Sequence, residues 1–171
     1  WLFKDGRWFD AYKLWDRFLR SAPRGETEAF QWLYFGKSAH LLGKRDVALD
    51  CLATAKTRSG TRLDAINMLD LEASIIKDSG QTEKKMYVMD LYDKAMAFIQ
   101  EGEEKALNKE LGDYRKMRAQ ILYNRAIFRR WWMGDTGGEL RDLEEAGWIY
   151  EMLGMSDMQM VAKSEWVDMQ L

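Results

Sequence analysis

Cysteine, histidine and proline each occur once in this 171-residue chain, at Cys51, His40 and Pro23. A single cysteine excludes an internal disulfide framework and cannot by itself build a thiolate metal site. It fits a reducing compartment, so the cytoplasm is the expected location. A single histidine cannot supply the paired imidazoles of a metal centre, and no carboxylate pair or cysteine beside it makes a nucleophile triad. No apolar run approaches the roughly 18 to 20 residues that a membrane span needs; the longest are short pieces such as Ala95 to Ile99. An excess of one charge is missing as well, with 26 Lys plus Arg against 28 Asp plus Glu. No global field is therefore present to attract nucleic acid phosphates or an anionic membrane surface. The chain opens at Trp1 with neither an initiator Met nor a signal-like head, as expected of a fragment of a larger protein or a mature product.

Nucleotide and metal chemistry find no foothold. Gly134-Asp135 and Gly137-Gly138 follow a helical stretch and lack a phosphate-loop lysine, so they read as a turn. Glu101 to Glu104 and Asp142 to Glu145 fall within or beside helical stretches and read as solvated faces rather than cation loops. Cys51 stands among Ala48, Leu52 and Ala55, where a small buried thiol is the default. The expectation is a non-enzyme without catalytic, cofactor-binding or metal-binding residues and without a cofactor.

What is present is an apolar content of 47% beside 32% charged residues, too apolar for a disordered chain. Apolar residues recur at spacings of three and four, with short Gly, Ser, Asp or Thr breaks and no strand-like alternation. The spacing predicts helices over Arg7 to Ser21, Thr27 to Leu42, Lys44 to Thr57, Thr61 to Lys77 and Thr82 to Gln100, the last extendable to Leu111. Further helices are predicted over Asp113 to Met133, Gly138 to Leu153 and Ser156 to Met169.

These segments repeat. Gly6, Gly43 and Gly80 lie 37 residues apart, each closing one apolar helix before the next, where a residue that tolerates positive φ ends a helix with little strain. Gly134 is a fourth such turn, and Leu111-Gly112 and Leu153-Gly154 are expected to end the second helices of two hairpins. The clearest unit reads Trp32, Phe35-Gly36, Ala39, Gly43, Ala48, Leu52 and Ala55. It resembles the tetratricopeptide repeat, a helix-turn-helix with a large residue, a tight small one and an alanine where helices cross. Ala11, Trp15, Phe18 and Pro23 resemble the second half of a unit whose first helix is reduced to Trp1 to Lys4. Leu69, Ala73, Gly80, Val88, Tyr92 and Ala95 match a third, given about three extra residues near Gln81 to Lys85. Tyr123, Ala126, Gly134, Leu143 and Ala146 match a fourth, without the small residue expected at Ile127.

The resemblance implies an all-α fold: one right-handed superhelical solenoid of about four stacked hairpins over 1–26, 27–60, 61–112 and 113–154, with a C-terminal helix over 155–171. Stacking would complete the core of each hairpin, with Trp8, Trp15, Trp32, Trp148 and Trp166 packed between helices. The first helices of the hairpins would line a concave groove for a partner peptide or helix. Carried onto this chain, the groove would hold Tyr34, Lys37, His40 and Leu41, then Asn67, Asp70, Ser74 and Lys77, then Ile121, Asn124, Arg125, Phe128, Trp131 and Trp132. Arg118, Arg125 and Arg129 share a face of the fourth unit's first helix and should mark its open side. Arg125 and Trp132 are the leading anchors, one for a carboxylate and one for an apolar side chain. Leu33, Tyr34 and Lys37, followed by Asp70, Leu71 and Ser74, do not make the Lys and Asn clamp with which some members hold an acidic C-terminus. The expected function is thus a protein-interaction scaffold. A sensor segment of a larger regulator is one alternative. Another is a homo-oligomerisation module stacking through Trp1, Leu2, Phe3 or Trp166.

Overall fold

A computed structural model describes residues 7–22, 27–107 and 109–168, less the side chains of residue 20 and residues 166–168. Gly6, Pro23, the Trp1 to Lys4 segment and the side chain of Trp166 lie outside the described residues. The described chain is all-helical and has no strand. Its helices are α1 (Trp8–Ser21), α2 (Ala29–Leu41), α3 (Arg45–Lys56), α4 (Arg62–Asp78), α5 (Lys85–Lys105), α6 (Lys109–Phe128), α7 (Thr136–Met152) and α8 (Ser156–Asp168). A 3-10 turn, Thr82–Lys84, precedes α5, and a π-helical turn, Arg129–Met133, follows α6. The chain divides into two compact units, Trp1–Ser79 and Gly80–Leu171.

In the first unit α2 and α3 form a hairpin, α1 packs on α2, and α4 packs on both hairpin helices. Local chemistry sets the ends. The backbone N–H of Glu28 donates to Gln31 Oε1 at 2.9 Å, and Thr61 and Asp64 exchange backbone-to-side-chain bonds of 2.7 and 3.2 Å, so α2 and α4 both start on a reciprocal capping box. Between α2 and α3, Gly43 takes φ 70°. There the N–H of Lys44 donates to the Ala39 carbonyl at 2.8 Å and that of Gly43 to His40 at 2.9 Å, the paired bonds that satisfy a helix C-terminus through a left-handed glycine. Gly36 is the tight residue: a Cβ there would stand 3.1 Å from both Cys51 Cβ and Leu71 Cδ2. Ala39, Ala48, Leu52, Leu71 and Ile75 fill the core with Trp32 packed against it, and the Trp32 Nε1–H donates to Thr27 Oγ1 at 3.0 Å.

In the second unit α6 packs on α5 and α7, and α7 on α8. Ala119, Leu122, Ala146, Ile149, Tyr150 and Ala162 form its core. Gly154 repeats the closure seen at Gly43, with φ 65° and the N–H of Met155 donating to the Tyr150 carbonyl at 2.9 Å.

Three expectations are corrected here. Leu111 and Gly112 do not end a helix; they lie in the first turn of α6, and α5 stops at Lys105, where Ala106 turns extended with ψ 149°. The nearby glycine that matters is Gly102, which leaves room for the Tyr114 ring of α6 where a Cβ would overlap it. Trp148 is not packed between helices but is 60% exposed, because Leu143, Ala146, Ile149 and Tyr150 already occupy the inner face of α7. Asp142 is not part of a solvated face; it is buried.

Candidate functional site

The residues expected to line the groove fall into two sets, one in each unit. In the first unit, α2 and α4 lie side by side and bring their set together. Lys37 Nζ donates to Asn67 Oδ1 at 2.6 Å and stands 3.9 Å from Asp70 Oδ2. Asn67 is held in turn by donating to the Leu63 carbonyl at 2.8 Å. His40 Nε2 meets Asp78 Oδ2 at 3.1 Å, a partner that sequence reasoning passed over because it lies at the last turn of α4. Tyr34 and Leu41 are exposed on α2, while Ser74 and Lys77 are half-buried on α4. The Tyr34 ring also stacks on Trp15 of α1 at 6.0 Å between centroids.

The wall between α2 and α4 is therefore polar along its middle, with Tyr34 and Leu41 offering apolar surface. Burial lowers the His40 pKa and outweighs the pull of Asp78 in the other direction. Behind the wall, burial pushes the Cys51 thiol up to about 12, with Asp50 adding to the effect. That thiol is inert as a nucleophile.

The second set is arranged differently. Ile121 and Phe128 are completely buried and belong to the core rather than to an open wall, since α6 is covered by both α5 and α7. Trp132 is half-buried and stacks on Phe128 at 5.4 Å. Asn124 is half-buried and accepts from Gln120 Nε2 at 3.2 Å. Trp131 alone of this set is strongly exposed, at 73%.

The arginine stripe does not mark an open side; each arginine is held by carboxylates of neighbouring helices. Arg125 grips Asp142 of α7 through Nε at 2.9 Å and Nη2 at 2.8 Å, and donates from Nη1 to Asp93 of α5 at 3.0 Å. Arg118 grips Glu103 through Nε at 3.1 Å and Nη2 at 2.6 Å. Arg129 Nε lies 3.5 Å from Asp142 Oδ2. Hydrogen bonding to Glu103 raises the Arg118 pKa. For Arg125 burial works downward, and Asp142 and Asp93 together more than offset it. These cations are bound within the unit and have little to offer a partner.

Arg130 completes the network. It pairs with Glu139, which is fully buried, and donates from Nη1 to Glu165 Oε2 of α8 at 2.7 Å. Burial pushes the Glu139 carboxyl up and Arg130 pulls it part of the way back. Glu139 was missed at sequence level. Its signal was the Arg129-Arg130 pair at the end of the preceding helix, ahead of a turn short enough to fold one onto the other.

Among the described residues no three His, Cys, Asp or Glu side chains gather to hold a metal ion, and no helix is long and apolar enough to cross a membrane. The chain shows no significant match to any protein-family model, curated protein or solved structure.

Proposed function

We propose that the chain is a stack of tetratricopeptide-like hairpins that serves as a protein-interaction scaffold, and that a partner peptide lies along the wall between α2 and α4. The arrangement of α2 and α4 carries the reading. These two helices stand side by side, and their facing polar groups hold one another in place through the Lys37–Asn67 and His40–Asp78 contacts. Tyr34 and Leu41 are exposed beside them. A preorganised polar row flanked by an aromatic and an aliphatic side chain suits an extended or helical segment. The row fixes register while Tyr34 and Leu41 supply buried area. The tight fit at Gly36 and the glycine closures at Gly43 and Gly154 support the hairpin stacking that such a solenoid requires. The role is one of binding rather than catalysis, in a reducing compartment such as the cytoplasm.

Peptides selected from a random display library against the whole chain test the proposal. Their affinity should fall by about tenfold or more in the Tyr34→Ala/Leu41→Ala double variant, as expected when an interface anchor is truncated. An Arg125→Ala variant should retain binding, because that guanidinium already serves Asp142 and Asp93. Selected peptides that bind the Tyr34/Leu41 variant as tightly as the wild type would place the site elsewhere.

A further inference from the structure

Trp148 stands mid-face on the outer side of α7, with Glu144, Glu145, Glu151 and Met152 around it, all of them exposed. Its indole is the shared wall of two grooves. One, of about 350 Å³, runs between α7 and α8 over Leu143, Gly147 and Ala162. The other, of about 440 Å³, is bordered by Leu111, Ile149 and Met152. Five glutamates line the two grooves, against Arg115, Arg118 and Lys163. Of those cations, Arg118 is held by Glu103 at 2.6 Å and reaches Glu145 at 3.5 Å, and Lys163 faces Glu151 at 3.5 Å. The face is thus an acidic ridge carrying an uncovered indole, with an apolar trough on either side. An indole left this exposed, between two troughs, marks an interaction surface.

The chain carries a surface of the opposite pattern on α1. Lys13 and Arg17 run along the middle of the exposed face of that helix beside Asp10, which pairs with Arg7 at 2.7 Å; Phe9, with the Lys13 ammonium 4.2 Å from its ring centre, flanks them on one edge, and Leu14 and Phe18 on the other. A cationic spine between two apolar edges matches an acidic ridge between two apolar troughs. Moreover, a Lys or Arg side chain over an indole is itself attractive. We propose that the two faces meet between molecules: α1 of one copy lies across Trp148 of a second. Lys13 and Arg17 then face Glu144, Glu145 and Glu151, and the two apolar edges enter the two troughs. The contact joins different patches on the two copies. A single junction leaves one α1 and one α7 face unused, so the association is heterologous. This assembly is independent of peptide binding between α2 and α4.

Light scattering on the whole chain tests it. The mass of the wild type should rise above 20.1 kDa with concentration and return toward it as salt screens the charges. Lys13→Glu/Arg17→Glu and Glu144→Lys/Glu145→Lys should each stay monomeric, their helicity by circular dichroism unchanged because every altered residue is exposed. Mixed in equal amounts, the two variants should assemble again, since the basic α1 of one meets the acidic ridge of the other and the reversed charges of the second junction attract as well. Trp148→Ala should abolish assembly of the wild type. A wild type that is monomeric at low salt and high concentration overturns the proposal. So do charge variants that assemble by themselves, a mixture that remains monomeric, or a basic peptide that binds at Trp148 while the wild type does not self-associate.

Discussion

Counted from their turn glycines, Gly43 and Gly134, the hairpins α2–α3 and α6–α7 agree at Leu52 and Leu143 and at Ala55 and Ala146, and disagree where their helices cross. The first hairpin has Gly36, Ala39 and Ala48 at the crossing; the second has Ile127, Arg130 and Glu139 at the same counts. The first closes by removing bulk, so that backbones approach and leucines interdigitate. The second keeps the bulk and fills the crossing with a buried ion pair, next to a π-helical turn that ends α6. Likewise Tyr34 and Cys51 of the first hairpin correspond to Arg125 and Asp142 of the second, which grip one another through two hydrogen bonds. Two hairpins of like residue spacing are thus held by two kinds of force. Steric closeness tolerates gain of volume poorly, whereas a buried pair tolerates loss of either partner poorly.

The sharpest way to break the comparison is Arg130→Ala. It strands the fully buried Glu139 carboxylate and should lower unfolding free energy by about 3 to 5 kcal/mol in urea titration. Replacing both partners by apolar groups, Arg130→Met/Glu139→Leu, should bring stability back to within about 1 kcal/mol of the wild type or above it. A double variant as unstable as the single one would show that the pair is not what holds the crossing. Next in size, Arg125→Met removes the paired grip on Asp142 but leaves Arg129 nearby, for a loss of about 2 to 3 kcal/mol by the same titration.

In the first hairpin, Gly36→Ala sets a helix-propensity gain of about 1 kcal/mol against overpacking of about 1 to 3 kcal/mol on Cys51 and Leu71. A net loss is expected by thermal melting. Gly137→Ala in the first turn of α7, where the nearest atom to an added Cβ is Arg141 Nη1 at 3.9 Å, should be neutral or stabilising. The smallest effect is on pH dependence. His40 has its pKa lowered in the fold from the ordinary 6.5, so below that value the unfolded chain binds more protons than the folded one. Stability should therefore fall as pH drops from 7 toward 5, and His40→Asn should flatten that part of the denaturation profile.

Much of the fold was legible along the chain. Helices α1 to α4 fall within about two residues of their expected ends, because apolar period, capping residues and turn glycines all point the same way there. The break between α5 and α6 was misplaced because Gly112 looks like a stop. A glycine in the first turn of a helix and one that closes a helix are the same letter, and only the packing of Tyr114 on Gly102 tells which neighbour needed the space. Of the candidate wall, Lys37, His40, Asn67 and Asp70 were legible from helical phase. Their contacts with one another, and the part of Asp78, were not, since phase places a residue on a face without saying what stands opposite.

The sequence by itself determined where this chain is helical and where it turns, since period, capping and left-handed glycine are properties of residues a few positions apart. Only the tertiary structure decided which charges face solvent and which face each other. Arg118, Arg125 and Arg129 look like an open stripe until α5 and α7 bring Glu103, Asp93 and Asp142 against them. Trp148 looks like core until Leu143, Ile149 and Tyr150 have filled the space inside. Burial is set by the neighbours that arrive from elsewhere in the chain, and an ionised side chain changes its role with them.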